Sequence, residues 1–286
     1  MIPASFSYVA PSTVEDAVAA LASAGEDAKV LAGGQSLIPV LRLRLSYPET
    51  VVDLGKIAEL RGVRDEGDAI VIGAMTTHHE VLHDPLVKQY APLLAQATET
   101  VADPQVRHRG TFGGSLSHAD PAGDLPSVAL ALDAEMVLAG PHGRRTVAAR
   151  DFFLDYLTTA IQPGEILVEV RLPKLGEGWG TCYEKFNRVA QAWSIVAVAA
   201  AVRRENGSIT EARIGLTNMG TTPLRATAAE QALAGQSASA ESVAAAAAHA
   251  AEGTSPTSDV NAQSDYRSHL AQVLTRRALS KAAGLA

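Results

Sequence analysis

Two glycine pairs, each followed by a small hydroxyl residue, constrain this sequence more than any other feature. The first lies in AGGQS at residues 32–36, and the second lies in GTFGGS at residues 110–115. Glycine loses more conformational entropy on folding than other residues, so a tight turn, a close backbone contact or a ligand should compensate. Such segments expose backbone N–H groups that an anionic oxygen can approach closely. Two interpretations follow, a diphosphate held between the segments or two ordinary turns.

The common nucleotide-binding motifs are absent from the sequence. No G-x-x-x-x-G-K-[ST] occurs, which excludes a P-loop, and no G-x-G-x-x-G follows a predicted strand, which leaves an ordinary Rossmann site unsupported. The net charge of -7 argues against nonspecific nucleic-acid binding. If the glycine pairs hold a diphosphate, they do so by another route.

The chain is long enough for two or three small units. It has 286 residues, of which 47% are hydrophobic and 19% are charged, as in globular proteins with buried cores. Its single cysteine, Cys182, permits no internal disulfide and cannot hold an iron–sulfur cluster, which normally takes four thiolates. No signal peptide is evident, and the alanine-rich stretches are too polar to span a bilayer. These features predict a cytoplasmic protein.

Helix and strand patterns divide the sequence into three units, which we place at residues 1–54, 55–175 and 178–286. The first two units combine capping boxes, which start helices, with short apolar runs typical of strands. Their predicted elements are a helix at 12–24, a strand at 29–32, a helix at 36–45, a strand at 50–54, a strand at 69–75, a helix from Thr77, a helix at 85–97, a turn-rich segment at 103–126, and strands at 134–139 and 165–172.

A Gly/Pro-rich bridge at residues 173–180 leads into the third unit. There Asn206-Gly207 is the strongest hairpin signal of the chain, between predicted strands at 196–204 and 209–216. Helices are predicted at 226–234, 238–251 and 264–281. The third unit therefore reads as a small sheet of the three-stranded type covered by helices, and the whole chain as an α+β protein.

Three segments together resemble one protein family. They are AGGQSLIPVLRLRL at residues 32–45, IGAMTTHHEV at residues 72–81 and QVRHRGTFGGSLSHADPAGDLPSVALALDAEM at residues 105–136. Their order, spacing and sequence resemble the FAD-binding medium subunits of molybdenum hydroxylases, the group of aerobic carbon monoxide dehydrogenase, nicotine dehydrogenase and the flavin domain of xanthine dehydrogenase. The resemblance covers essentially the whole chain. It implies a PCMH-type FAD-binding fold of two subdomains, followed by a C-terminal flavoprotein domain.

The resemblance also implies where FAD binds. The pyrophosphate is expected at the backbone amides of both glycine segments, and Lys185 near the flavin ring, where a cation stabilises the reduced form. Gln35 stands where many relatives have His, and Ser115 where they have Asp or Asn, yet both still form hydrogen bonds. The implied cofactor-binding residues are Lys29, Val30, Leu31, Ala32, Gly33, Gly34, Gln35, Ser36, Val101, Ala102, Gly110, Thr111, Gly113, Gly114, Ser115, Asp124, Leu167, Lys185 and Trp193.

Several residues also have an alternative interpretation in which they do not contact a cofactor. Lys185 is also read as a surface lysine and Trp193 as a core tryptophan, and Arg42 and Arg44 as helix surface or a subunit contact. Neither a metal site nor a catalytic residue is predicted. The run His78-His79-Glu80 lacks an H-E-x-x-H pattern and reads as helix surface, while His108 and His118, beside the second glycine pair, have no visible catalytic partner.

The leading functional hypothesis is an electron-transfer subunit. By resemblance, a large partner subunit hydroxylates substrate at a molybdopterin cofactor, and a small partner carries two [2Fe–2S] clusters. FAD in this chain then passes the electrons to an external acceptor, within a heterotrimer that is expected to be doubled. Two alternatives are a self-contained flavin oxidase of the same superfamily and a nucleotide-sensing or assembly module without redox function. Substrate and acceptor, whether NAD, oxygen or quinone, stay open.

Overall fold

The N-terminal unit is a small parallel sheet with two helices, in a computed structural model that describes residues 2–285. Helix α1 packs four apolar side chains against the middle strand of this sheet, and Thr13 caps it by accepting from the Asp16 amide. The sheet order is first strand, third strand, second strand. The elements are β1 (Ser7–Val9), α1 (Val14–Ala24), β2 (Ala28–Leu31), α2 (Leu37–Arg42) and β3 (Thr50–Asp53).

The middle unit is a five-stranded antiparallel sheet with a group of helices on it. In chain order its elements are β4 (Val63–Glu66), β5 (Ala69–Gly73), α3 (His78–His83), α4 (Pro85–Tyr90), α5 (Pro92–Glu99), α6 (Pro104–Arg107), α7 (Phe112–His118), α8 (Asp124–Ala131), β6 (Glu135–Gly140), β7 (Gly143–Ala148), α9 (Ala149–Phe152), β8 (Phe153–Asp155), β9 (Thr158–Thr159) and β10 (Ile166–Pro173). Strand β10 lies at the centre, between β5 and β6, and the strands β4 and β7 form the edges.

Two predictions for the middle unit are wrong. The single helix expected at residues 85–97 is two helices, because Pro92 has no N–H to continue the first helix and instead begins the second. The segment at residues 103–126 contains α6, α7 and the start of α8 instead of turns alone. The second glycine pair therefore lies in the first turn of α7, where Thr111 Oγ1 accepts from the Gly114 amide at 3.1 Å.

The C-terminal unit is a four-stranded antiparallel sheet covered on one face by helices. Its elements are β11 (Trp179–Phe186), β12 (Val196–Glu205), β13 (Ser208–Thr217), β14 (Leu224–Arg225), α10 (Thr227–Leu233), α11 (Ala240–Ala247) and α12 (Ser264–Ala282). The two-residue strand β14 adds to the three strands expected. The hairpin at Asn206-Gly207 is confirmed, and both residues have the positive φ that this turn requires.

Strand β12 joins the C-terminal unit to the middle one. Ala197, Ala199 and Ala201 point from β12 into the core of the middle unit, while the alternate residues pack against α10–α12. Gly215 on β13 is so close to α8 that a β-carbon there would lie 2.2 Å from the Ser127 carbonyl oxygen. The α+β fold is confirmed. The three unit boundaries stay a prediction, with Met1 and Ala286 outside the described residues.

No helix within residues 2–285 has both the length and the apolar character needed to cross a membrane.

Candidate cofactor-binding site

A cavity of about 1080 Å³ lies between the three units. Small-molecule pockets typically measure roughly 300–1,000 Å³, so this cavity has room for an extended ligand of dinucleotide size. Its walls come from residues 21–54 of the N-terminal unit, residues 74–167 of the middle unit and residues 185–193 of the C-terminal unit. A ligand placed there would touch all three.

The cavity brings together every predicted cofactor-binding residue except Leu31. Leu31, the last residue of β2, is not part of the lining, although Lys29, Val30 and Ala32 are. The predicted residues that line the cavity are Lys29, Val30, Ala32, Gly33, Gly34, Gln35, Ser36, Val101, Ala102, Gly110, Thr111, Gly113, Gly114, Ser115, Asp124, Leu167, Lys185 and Trp193.

The first glycine segment offers free hydrogen-bond donors to the cavity. Strand β2 ends at Leu31, and the chain passes through Gly34, whose φ of 75° suits glycine, into helix α2. The backbone N–H groups of residues 33–36 donate to no acceptor within the described part of the chain. Several adjacent N–H groups without acceptors at a cavity wall form a concavity that suits an anionic ligand.

The second glycine segment offers mainly hydroxyl groups, since Thr111 alone among residues 110–115 has an amide without an acceptor in the described part of the chain. The amide of Gly113 donates to the Ala74 carbonyl oxygen at 2.9 Å, and that of Gly114 donates to Thr111 Oγ1. Binding through backbone amides stays a prediction for this segment, with the Thr111 amide as its free donor. The Ser115 hydroxyl forms no hydrogen bond within residues 2–285, and together with the Thr111 hydroxyl it supplies the donors at the start of α7.

The two glycine segments meet at one wall of the cavity. A β-carbon on Gly33 would lie 2.3 Å from the carbonyl oxygen of Arg109, and one on Gly114 would lie 3.4 Å from the Ala32 β-carbon. The first of these contacts leaves no space for a side chain at Gly33. The absence of side chains here brings the free amides of the first segment next to the hydroxyls of the second, as binding of a diphosphate requires.

A buried ion pair between the middle and C-terminal units also lines the cavity. Lys185 Nζ on β11 lies 2.8 Å from Asp124 Oδ2 at the start of α8, and both side chains are 5% exposed. The alternative of Lys185 as a surface lysine is therefore wrong. Asp124 Oδ1 accepts from the Tyr183 and Ser194 hydroxyls, each at 2.7 Å. Burial, followed by the charge of Asp124, raises the pKa of Tyr183 well above its usual value, so its hydroxyl stays protonated.

Trp193 lies on the loop between β11 and β12, at the mouth of the cavity. Its side chain is 56% exposed, so the alternative of a core tryptophan is wrong. The loop is tied to the middle unit at two points. Gln191 Nε2 donates to Asp103 Oδ2 at 2.6 Å, and Ser194 donates to Asp124. An indole held there can pack against a flat ring inside the cavity.

Two histidines, His78 and His118, line the cavity, whereas His79 and His108 lie outside it. The capping box at Thr77 and Glu80 is confirmed, but His78 is buried against Gly110 and lines the cavity, so its assignment to the helix surface is wrong. Burial, with a smaller contribution from the Arg107 charge, lowers the pKa of His78 to about 4. His79 stacks on His108 outside the cavity, with ring centroids 3.9 Å apart. Within residues 2–285, no cluster of side chains has the composition of a metal site.

A segment that sequence reasoning missed closes one side of the cavity. It runs from the β8–β9 hairpin through the turn before β10. The dipeptide Pro163-Gly164 marks this turn in the sequence but gives no sign of its position beside a ligand. The lining residues of this segment are Leu157, Thr159, Ile161, Gln162, Pro163, Gly164, Glu165 and Ile166.

Two protein-family models match the chain. The model of the FAD binding domain in molybdopterin dehydrogenase matches residues 4–175, and that of the CO dehydrogenase flavoprotein C-terminal domain matches residues 181–282. Together they include all the walls of the cavity.

Individual proteins resemble the chain over almost its full length. The carbon monoxide dehydrogenase medium chain of Hydrogenophaga pseudoflava is 42% identical over 99% of this chain and 98% of its own length. Subunit alpha of the 6-hydroxypseudooxynicotine dehydrogenase complex of Paenarthrobacter nicotinovorans is 38% identical, over 99% and 96% respectively. A solved structure of the Hydrogenophaga carbon monoxide dehydrogenase, lacking the Mo-pyranopterin moiety, superposes with a TM-score of 0.97 at 44% identity, covering 100% of this chain and 99% of that one.

Proposed function

The chain belongs to the family of FAD-binding medium subunits of molybdenum hydroxylases, and we propose that it binds one FAD in the cavity between its three units. The cavity is large enough, is lined by all but one of the predicted FAD contacts, and carries free N–H groups on one wall and a buried cation on another. The single observation that supports the proposal most is the contact between the two glycine segments, since it brings donors from both segments to one wall of the cavity.

Each wall of the cavity has a distinct role in this proposal. The amides of residues 33–36 and the hydroxyls of Thr111 and Ser115 would hold the pyrophosphate. Lys185 and Asp124 would lie beside the flavin, and Trp193 would cover it at the cavity mouth. The remaining predicted contacts, from Lys29 to Ala32 and at Val101, Ala102, Gly110, Gly113 and Leu167, would shape the cavity around the cofactor. Leu31, which does not line the cavity, would support the lining residues without touching the cofactor.

The residues of this chain bind and tune the cofactor, and none is needed as an acid, base or nucleophile toward an organic substrate. FAD, when bound, supplies the ability to take up electrons from iron–sulfur clusters and pass them to an acceptor. Lys185 places a positive charge in a region of low polarity, which favours uptake of electrons by an adjacent ring. His78, whose lowered pKa keeps it neutral at pH 7, adds no charge to the cavity.

The chain is the medium subunit of a complex with iron–sulfur and molybdenum subunits. We further propose a doubled heterotrimer in the cytoplasm, with the small subunit near the dimethylbenzene edge of the flavin. Support comes from the single cysteine, which cannot ligate a cluster, so electrons must reach FAD from another chain. The names of the relatives refer to different substrates, carbon monoxide and 6-hydroxypseudooxynicotine. In this proposal the large subunit determines which substrate is oxidised.

Electron transfer between subunits tests this function directly. The iron–sulfur and molybdenum subunits are reduced with dithionite apart from this chain, excess reductant is removed, and they are then mixed with the FAD-loaded chain. We expect the visible absorbance of FAD in this chain to bleach on mixing, whereas the chain alone leaves aldehyde, purine and pyridine substrates unchanged. Robust oxidation of any of these by the chain alone would instead favour the self-contained oxidase.

A further inference from the structure

A buried polar cluster connects the middle and C-terminal units beside the cavity. We call it the Asp124 cluster, and it comprises Asp124, Tyr183, Lys185 and Ser194. Asp124 is the first residue of α8 in the middle unit, whereas the three donors all come from the C-terminal unit. Every side-chain oxygen of Asp124 is occupied, Oδ1 by Tyr183 and Ser194 and Oδ2 by Lys185.

The two carboxylate oxygens of Asp124 accept from different donors. Tyr183 and Ser194 both donate to Oδ1, and this leaves Oδ2 to Lys185 at 2.8 Å. The Lys185 ammonium donates also to the Thr100 carbonyl oxygen at 3.1 Å, which occupies two of its three hydrogens within residues 2–285. Lys185 and Asp124 line the cavity, while Tyr183 does not. Tyr183 and Ser194 therefore determine how the Asp124 charge is shared.

We propose that Tyr183 and Ser194 are positioning residues that raise the reduction potential of the bound flavin through Asp124 and Lys185. The proposal rests on the function proposed above, since it assumes FAD beside Lys185. The positive ends of both hydroxyl dipoles point at the carboxylate and offset part of its negative charge. Without them, the same carboxylate would counteract Lys185 more strongly and disfavour negative charge on the reduced ring.

Burial makes these two hydroxyls effective. Tyr183 is 9% exposed and Ser194 is 2% exposed, so water is a poor substitute for either donor. In such surroundings the effective dielectric constant is low, and each hydrogen bond is electrostatically stronger than in water. The packing of the C-terminal unit against α8 therefore affects the charge that Asp124 and Lys185 present to the cavity.

The test is the midpoint potential of FAD in the assembled complex, measured by spectroelectrochemistry for Tyr183→Phe, Ser194→Ala and the wild type. We expect each variant to disfavour reduced FAD roughly threefold, which lowers the potential by about 14 mV for a two-electron couple. Ser194→Thr keeps the hydroxyl and should restore the wild-type potential. Asp133→Asn is the matched control. It removes ion pairs with Arg213 and Arg225 across the same interface, away from Asp124, and should leave the potential unchanged.

The outcomes separate the two proposals. Full FAD occupancy with wild-type potential in both Tyr183→Phe and Ser194→Ala overturns the positioning role and leaves FAD binding intact. An equal shift in Asp133→Asn or in Ser194→Thr overturns it as well, since either would mean a general loosening of the interface. A wild-type complex without FAD in this chain would overturn the proposed function first. If Tyr183→Phe fails to assemble, the pair Ser194→Ala and Ser194→Thr decides alone.

Discussion

Gly33 lies directly against the backbone of Arg109, so that a β-carbon on Gly33 would be 2.3 Å from the Arg109 carbonyl oxygen and 2.7 Å from the α-carbon of Gly110. These atoms are backbone and cannot rotate away. The contact joins the N-terminal unit to the middle unit at the wall where both glycine segments meet. Any side chain at Gly33 must therefore separate the two units.

Gly33→Ala is expected to destabilise the chain by roughly 1–3 kcal/mol, the usual effect of overpacking, and to weaken FAD binding. Denaturant unfolding and FAD titration of the complex measure the two effects. Gly176→Ala is the control, because Gly176 lies in the exposed bridge after β10 with no atom within 4 Å of an added β-carbon. Equal stability of the two variants would contradict a tight contact at Gly33.

Removing the Lys185 cation should affect both stability and redox behaviour. Lys185→Met leaves Asp124 as a buried charge without its ion-pair partner, which typically costs roughly 3–5 kcal/mol. It should also lower the flavin midpoint potential. The double variant Lys185→Met with Asp124→Asn should recover much of the lost stability. Lys281→Met, which breaks the exposed pair with Glu184, serves as control and should change both quantities little.

The buried His78 should lower the free energy of unfolding in mild acid. Its folded pKa of about 4 lies below the unfolded value of 6.5, so the unfolded chain binds the proton more tightly and stability falls as pH drops from 6.5 toward 4. The contribution lost between pH 7.5 and pH 5 is about 2 kcal/mol. Denaturant unfolding at both pH values should show a smaller loss in His78→Gln than in the wild type. The control His142→Gln, at an exposed histidine, should behave as the wild type does. Identical losses in all three proteins would rule out His78 as the source.

We expect proteases to cut first in the bridge between the middle and C-terminal units. Strand β10 ends at Pro173 and β11 begins at Trp179, so the bridge is shorter than the sequence indicates, and Gly176, Glu177 and Gly178 are exposed. Limited subtilisin digestion of the FAD-loaded chain, followed by mass spectrometry, should locate the first cut there. First cleavage within residues 103–126 would contradict these boundaries.

Local patterns in the sequence predicted much of the fold. The capping box at Thr77 and Glu80 and the hairpin at Asn206-Gly207 depend on residues within one turn of each other, and both are confirmed. The edge strands β4 and β7 were missed because exposed edges carry no apolar alternation, as in the largely exposed sequence of β7. The first two residues of β11, Trp179 and Gly180, were assigned to the bridge because they follow Gly176 and Gly178. Gly180 is required there by a contact with Ala282, about 100 positions away in the chain.

The residues of the candidate site likewise fall into two groups, those that the sequence predicted and those that only the fold brings together. The glycine segments carry their signal in their own residues, and the resemblance to a family supplied the distant contacts such as Asp124 and Lys185. Burial of His78, the Asp124 cluster and the wall at residues 157–166 arise from contacts between distant parts of the chain. Such contacts leave no periodic or turn signal in one sequence, and only the folded structure reveals them.

The FAD content of glycine-segment variants in the purified complex tests the central claim most directly. Gly114→Asp adds a carboxylate between Thr111 and Ala32, where the two glycine segments meet and the pyrophosphate is proposed to bind. Gly34→Asp forces a side chain against Ile38 at a φ that favours glycine, and so displaces the free amides of residues 33–36. Gly62→Asp is the control for Gly34→Asp, since Gly62 also has positive φ but lies outside the cavity lining, and Gly176→Asp is the control for Gly114→Asp. We predict one FAD per chain in the wild type and both controls, and almost none in the two cavity variants. Folded Gly34→Asp and Gly114→Asp complexes that retain full FAD would contradict the account.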